Sequence, residues 1–76
     1  MQLDCGPHMA NQVAFDGATS CLAIASNDAT IKMFAVAADL TTSLIGHEDS
    51  VQCVRFDASG EFLVSGGNDA NVAIWS

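Results

Sequence analysis

His47, Ser65 and Asp69 carry the side chains of a nucleophilic triad: a hydroxyl to attack, an imidazole to take its proton and a carboxylate to orient the ring. A hydrolase would need Ser65 exposed on a strained turn, His47 beside it as base, and oxyanion donors nearby. Ser65 stands instead at the end of an apolar run, before Gly66-Gly67, without the G-x-S-x-G elbow of serine hydrolases. The same atoms can form a structural chain. Asp69 accepts from the His47 ring, the other ring nitrogen faces the Ser65 hydroxyl, and that hydroxyl accepts from the Trp75 indole N–H. Such a chain satisfies buried donors and acceptors that would otherwise be costly. The sequence favours it over catalysis. A second constellation, Cys5-x-x-His8 with Cys21 or Cys53 as third ligand, lacks the matching second pair of a zinc site. No metal or cofactor is expected.

The elements that position these residues must come from a short and acidic chain. Its 76 residues carry nine acids against two bases, a net charge of −7. That charge repels phosphate backbones and anionic lipid, so nucleic acid and membranes are not expected partners. No apolar run reaches the eighteen or so residues of a membrane span, and no signal peptide opens the chain. The three cysteines are an odd number without a disulfide-like spacing, which suits a reducing cytosol. Cys21 and Cys53 read most simply as small apolar residues of strands. Glu48, Asp49 and Glu61 read as solvated turn charges.

An internal repeat is the strongest organising signal. Asn11 to Phe34 superposes without gaps on Gln52 to Trp75, so that Val13 meets Val54, 41 residues on. Phe15 then meets Phe56, Leu22 meets Leu63, Asn27-Asp28 meets Asn68-Asp69, and Phe34 meets Trp75. A period of this length fits repeats built as one four-stranded unit. Strands are expected near 11–15, 21–26 and 30–34 in the first copy and at 51–56, 62–65 and 72–75 in the second. Leu40 to Ile45 forms a seventh strand, and 35–39 is too short and uncapped for a helix. Every expected element is β.

Gly46-His47, Val51-x-x-Val54-x-Phe56, Ser65-Gly66-Gly67 with Asp69, and Ile74-Trp75 together resemble a WD40 repeat. In that family each repeat supplies the outer strand of one blade and three inner strands of the next. The resemblance maps the family's structural tetrad onto His47, Ser65, Asp69 and Trp75. Ser76 stands where the family usually has Asp. The first copy departs further: Ile24 replaces the serine, Phe34 the tryptophan, and His8 lies too close to its strand. That blade should rely on apolar packing.

The resemblance implies an all-β fold of two WD40 blades, the second lacking its outer strand, within a larger, seven-bladed propeller. The partial propeller spans 1–76, with one repeat at about 5–35 and the other at about 40–76. Stopping after a third strand leads to the expectation that the chain is the carboxy-terminal part of the ring. GPHMANQVAFD, LAIASNDATIKMF and the ending GHEDSVQCVRFDASGEFLVSGGNDANVAIWS further resemble the sperm-associated antigen family of WD-repeat proteins. That resemblance implies a non-catalytic, microtubule-associated scaffold in the axonemal central apparatus of motile cilia and flagella. Its partners would be other axonemal or cytoskeletal proteins, together with the remaining blades of the ring or further copies of the chain. Partner-facing candidates are Asp49, Ser50, Gln52 and Asn68, with Asn11 and Asn27 in the first copy. Two other readings are a serine hydrolase using Ser65 and a two-blade module that assembles three or four copies into a ring, with Gln2 to Cys5 lending an outer strand.

Overall fold

The computed structural model describes residues 9–36 and 40–76. Seven strands follow one another: β1 (Ala10–Asp16), β2 (Cys21–Ser26), β3 (Thr30–Ala35), β4 (Leu40–Ile45), β5 (Val51–Phe56), β6 (Leu63–Gly67) and β7 (Val72–Trp75). Gln2 to Cys5, the Cys5-x-x-His8 spacing and residues 37–39 lie outside the described residues.

Each turn has a local cause. Asp28 and Asp69, equivalent across the repeat, accept from the backbone N–H two residues on, at 3.0 Å from Thr30 and 3.1 Å from Asn71. Between them Ala29 and Ala70 take φ of 72° and 64°, the left-handed region that L-residues enter at a cost. The shared turn reverses β2 into β3 and β6 into β7.

The strands form two antiparallel sheets, in the orders β1-β2-β3-β4 and β5-β6-β7. β4, which follows the first copy, therefore completes the first sheet, pairing Leu44 with Ile31 and Thr42 with Met33. These are two blades. Among the described residues β7 pairs with β6 alone. The second blade's middle strand runs past its expected end at 65, because Gly66 and Gly67 pair with Cys53 and Val51 instead of breaking the strand.

The core lies between the blades. Ala23, Ala25 and Ile31 from the first sheet meet Val51, Val54 and Leu63 from the second, all nearly or wholly buried, with Ala14, Met33, Leu44, Phe56 and Trp75 at the margin. Strand alternation places Val13 and Phe15 on the far face of the first blade, and Val64, Val72 and Ile74 on the far face of the second.

Candidate functional site

The tetrad residues come from separate places around the second blade. His47 lies in the segment between β4 and β5, Ser65 is on β6, Asp69 in the β6–β7 turn and Trp75 at the end of β7. His47 Nδ1 faces the Asp69 carboxylate at 3.1–3.2 Å, and His47 Nε2 lies 2.7 Å from Ser65 Oγ. Trp75 Nε1 donates to the same Ser65 Oγ at 2.9 Å. An indole can only donate and a carboxylate can only accept, so Trp75 Nε1 donates to Ser65 Oγ and His47 Nδ1 carries the proton given to Asp69.

Two glycines give the chain its room. A Cβ on Gly46 would stand 2.7 Å from the Trp75 ring, and one on Gly67 would stand 2.9 Å from His47 Nδ1 and 3.0 Å from the Ser50 carbonyl. Asp69 also accepts from the Glu48 N–H at 2.9 Å. That bond, then those from Asn71 and His47, hold its pKa below the ordinary 3.8, at about 2, against the opposing effect of burial.

This geometry uses the nucleophile's atoms internally. Ser65 is 1 % exposed, and its oxygen lies between the His47 ring and the Trp75 indole. Substrate attack requires that hydroxyl in the open. In the first copy Ile24 and Phe34 are buried in the places of Ser65 and Trp75. Asp28 is engaged differently from Asp69, taking the Thr30 hydroxyl and, at 2.9 Å, the Lys32 ammonium. The Thr30 hydroxyl, and after it Lys32, hold its carboxyl well below the usual carboxylate range. The Lys32 pairing was missed from sequence. Its four-residue spacing from Asp28 is a helical signal, whereas here the two meet across a strand start.

The candidate partner-facing residues divide into two groups. Ser50 is buried, and its hydroxyl donates to Asn27 Oδ1 at 2.7 Å while accepting from Asn11 Nδ2 and Gln52 Nε2, each at 3.0 Å. One donor and two lone pairs are then all in use. This corrects the expectation for Ser50, which faces the seam between the blades and has no hydroxyl capacity left for a partner. Asn11 also donates to the Val51 carbonyl at 2.8 Å, and Gln12 Oε1 accepts from the Val54 N–H at 2.9 Å. Asn11 and Asn27 thus bind across the seam. Gln52 is exposed apart from its bond to Ser50. Asp49 and Asn68 stand exposed beside one another's loops, which are joined by the Asn68 N–H to Ser50 carbonyl bond at 2.9 Å.

Among the described residues no three His, Cys, Asp or Glu side chains converge as metal ligands. Cys53 is exposed, and Cys21 is half-buried.

Comparison with known proteins agrees with the blade geometry. The family model described as "WD domain, G-beta repeat" matches residues 38–76. The chain is similar to the WD repeat-containing protein AAC3 of Dictyostelium discoideum, at 30 % identity over 71 residues, covering 86 % of this chain and 15 % of that protein. It is also similar to the nuclear distribution protein PAC1 of Tuber melanosporum, at 30 % identity over 54 residues, covering 71 % of this chain and 12 % of that protein. Human striatin-4 is 41 % identical over 34 residues, 45 % of this chain and 4 % of that protein. The chain therefore spans a small part of the length of the relatives it matches. With a family match over half its residues and the blade architecture in place, the chain belongs to the WD40 family, whose repeats serve as scaffolds for protein–protein interaction.

Proposed function

We propose that the chain acts as a non-catalytic interaction scaffold: two blades of a larger WD40 propeller in a microtubule-associated protein of the axonemal central apparatus, in motile cilia or flagella. The observation that carries the non-catalytic part is the closed hydrogen-bond chain from Trp75 through Ser65 and His47 to Asp69, which uses the reactive residue types as internal supports. The axonemal part is supported by the resemblance of GPHMANQVAFD, LAIASNDATIKMF and the ending from Gly46 to Ser76 to the sperm-associated antigen proteins. Partner contact falls to the exposed rim at Asp49 and Asn68, next to Gln52, where the loops are tied down by bonds from the Glu48 N–H to Asp69, from the Ser50 hydroxyl to Asn27 and from the Asn68 N–H to the Ser50 carbonyl. An acidic rim residue suits a basic partner surface.

The test is co-sedimentation of the purified chain with demembranated motile axonemes. The wild-type chain is expected in the pellet, and Asp49→Lys in the supernatant with its circular dichroism unchanged. A wild-type chain that stays in the supernatant overturns the axonemal reading. Equal pelleting of both proteins removes Asp49 from the binding surface.

A further inference from the structure

We propose that the outer edge of β4 receives an extended segment of a basic partner protein, which adds to the first blade as a fifth strand. This surface is separate from the rim at Asp49 and Asn68, and its recognition runs through the main chain instead of side chains.

β4 is the fourth strand of a four-stranded sheet, and among the described residues it pairs with β3 alone. It lies inside the sequence, between β3 and β5, and completes its blade, so in a closed ring its free edge faces outwards whatever blades flank it. Every second residue of β4 directs its N–H and C=O at β3, and the others direct theirs away from the sheet. All six residues pair with β3 without a shift in register, so the free edge is regular along its whole length. Its sequence, Leu-Thr-Thr-Ser-Leu-Ile, has no charged residue, proline or glycine. Proteins ordinarily blunt such an edge with lysine, proline or a bulge, because it pairs readily with another chain, and propellers ordinarily leave only short, protected edges. β4 carries none of these devices.

The inner edges of the same blades show the contrast. β1 and β5 each carry a register shift, between Ala10 and Gln12 and between Val51 and Cys53. On β5 the Val54 N–H is taken by Gln12 Oε1 and the Val51 carbonyl by Asn11 Nδ2, both reaching from the neighbouring blade. Backbone groups of that edge are thus engaged inside the molecule, whereas those of β4 are left for a strand from outside. Thr41, Thr42 and Ser43 are exposed along it. An added strand would set its side chains against this row of hydroxyl and β-branched groups, which suits threonine or valine. The charge of the occupant follows from the net −7 of the chain. A second copy brings the same charge and is repelled, whereas a lysine- or arginine-bearing segment is drawn in. Backbone bonds then supply affinity, and the alternate side chains supply selectivity.

The experiment is amide hydrogen exchange followed by NMR on the whole purified chain, with a peptide of about ten alternating threonine and lysine residues as the probe. Every second amide of β4 is expected to exchange fast in the free chain and to slow about tenfold when the peptide stands at about ten times its Kd. The amides bonded to β3 should change little. The same peptide N-methylated at every residue keeps its charges but has no main-chain donor, and it should give no protection. A probe of alternating threonine and glutamate should give none either. No slowing at β4, or equal slowing by the N-methylated or the acidic peptide, overturns the proposal. Protection of the same amides in the free chain that grows with protein concentration overturns it in favour of a second copy. Each result is read at β4, so the rim reading at Asp49 stands or falls separately, by its own test.

Discussion

Ser65→Ala removes the atom on which two hydrogen bonds of the tetrad converge. The His47 side chain is 2 % exposed, so water cannot replace the hydroxyl at Nε2, and an unsatisfied buried group costs about 1–3 kcal/mol. The Trp75 indole N–H loses its acceptor too, but Trp75 is half-buried, so its share is that of an ordinary lost bond, about 1 kcal/mol. The expected loss is about 2–4 kcal/mol. For a domain of this size that is a fall in Tm of roughly 10 °C or more. His47→Ala should cost a similar amount, but the pair shares the 2.7 Å contact, so the double variant should be cheaper than the sum by about 1–2 kcal/mol. The assay is urea unfolding at fixed protein concentration, read by the fluorescence of the one tryptophan in the chain, which belongs to the tetrad itself. A Ser65→Ala midpoint within about 0.5 kcal/mol of wild type, or strict additivity of the two substitutions, would refute the claim that the tetrad supports the blade.

Three further outcomes follow from the same geometry. Gly67→Ala should destabilise the chain by about 1–3 kcal/mol, since the new methyl meets both the His47 ring and the Ser50 backbone; thermal melts check this. Ala70→Gly should raise stability by up to about 1 kcal/mol, because relief of the left-handed φ of 64° exceeds the added freedom of the unfolded chain; an unchanged or lower Tm would contradict it. The pKa of Asp69 is lowered to about 2 from an ordinary 3.8, so its contribution is complete above about pH 4 and lost as pH falls towards 2. Acid unfolding followed by circular dichroism should show that loss, and Asp69→Asn should remove its share of the pH dependence.

The strand plan was legible because the repeat aligns turn on turn and apolar run on apolar run, from Val13 and Val54 through Phe34 and Trp75. The error at the end of β6 has a physical reason. Gly66 and Gly67 read as breakers, yet both pair in the ladder; their missing Cβ atoms instead leave room for neighbours, since one on Gly67 would stand 2.9 Å from His47 Nδ1 and one on Gly66 3.1 Å from Cys53 Sγ. The tetrad could be named from its donors and acceptors and from the family resemblance, but not its geometry, since His47 and Ser65 meet only after β5 and β6 pair. The role of Ser50 could not be read locally. Its three bonding partners, Asn11, Asn27 and Gln52, converge only once one blade is laid on the other. The bond from Lys32 to Asp28 was hidden for a different reason, since its four-residue spacing reads as a helical signal in a segment that forms a strand start.

The seam itself has a mechanical consequence. Within each blade the strands are joined by continuous backbone ladders, but among the described residues no backbone-to-backbone hydrogen bond links one sheet to the other. Apart from the connecting chain, the blades are held by the apolar core and by side-chain bonds such as those from Asn11 and Gln12. A load that bends the molecule would therefore be taken up first between blades. The apolar layer can slide by small amounts and the amides can break and re-form, while the ladders remain whole. A blade then behaves as a stiff plate and the seam as a compliant, self-restoring joint. In a filament that flexes repeatedly, that arrangement would let strain pass through a propeller without unzipping a strand.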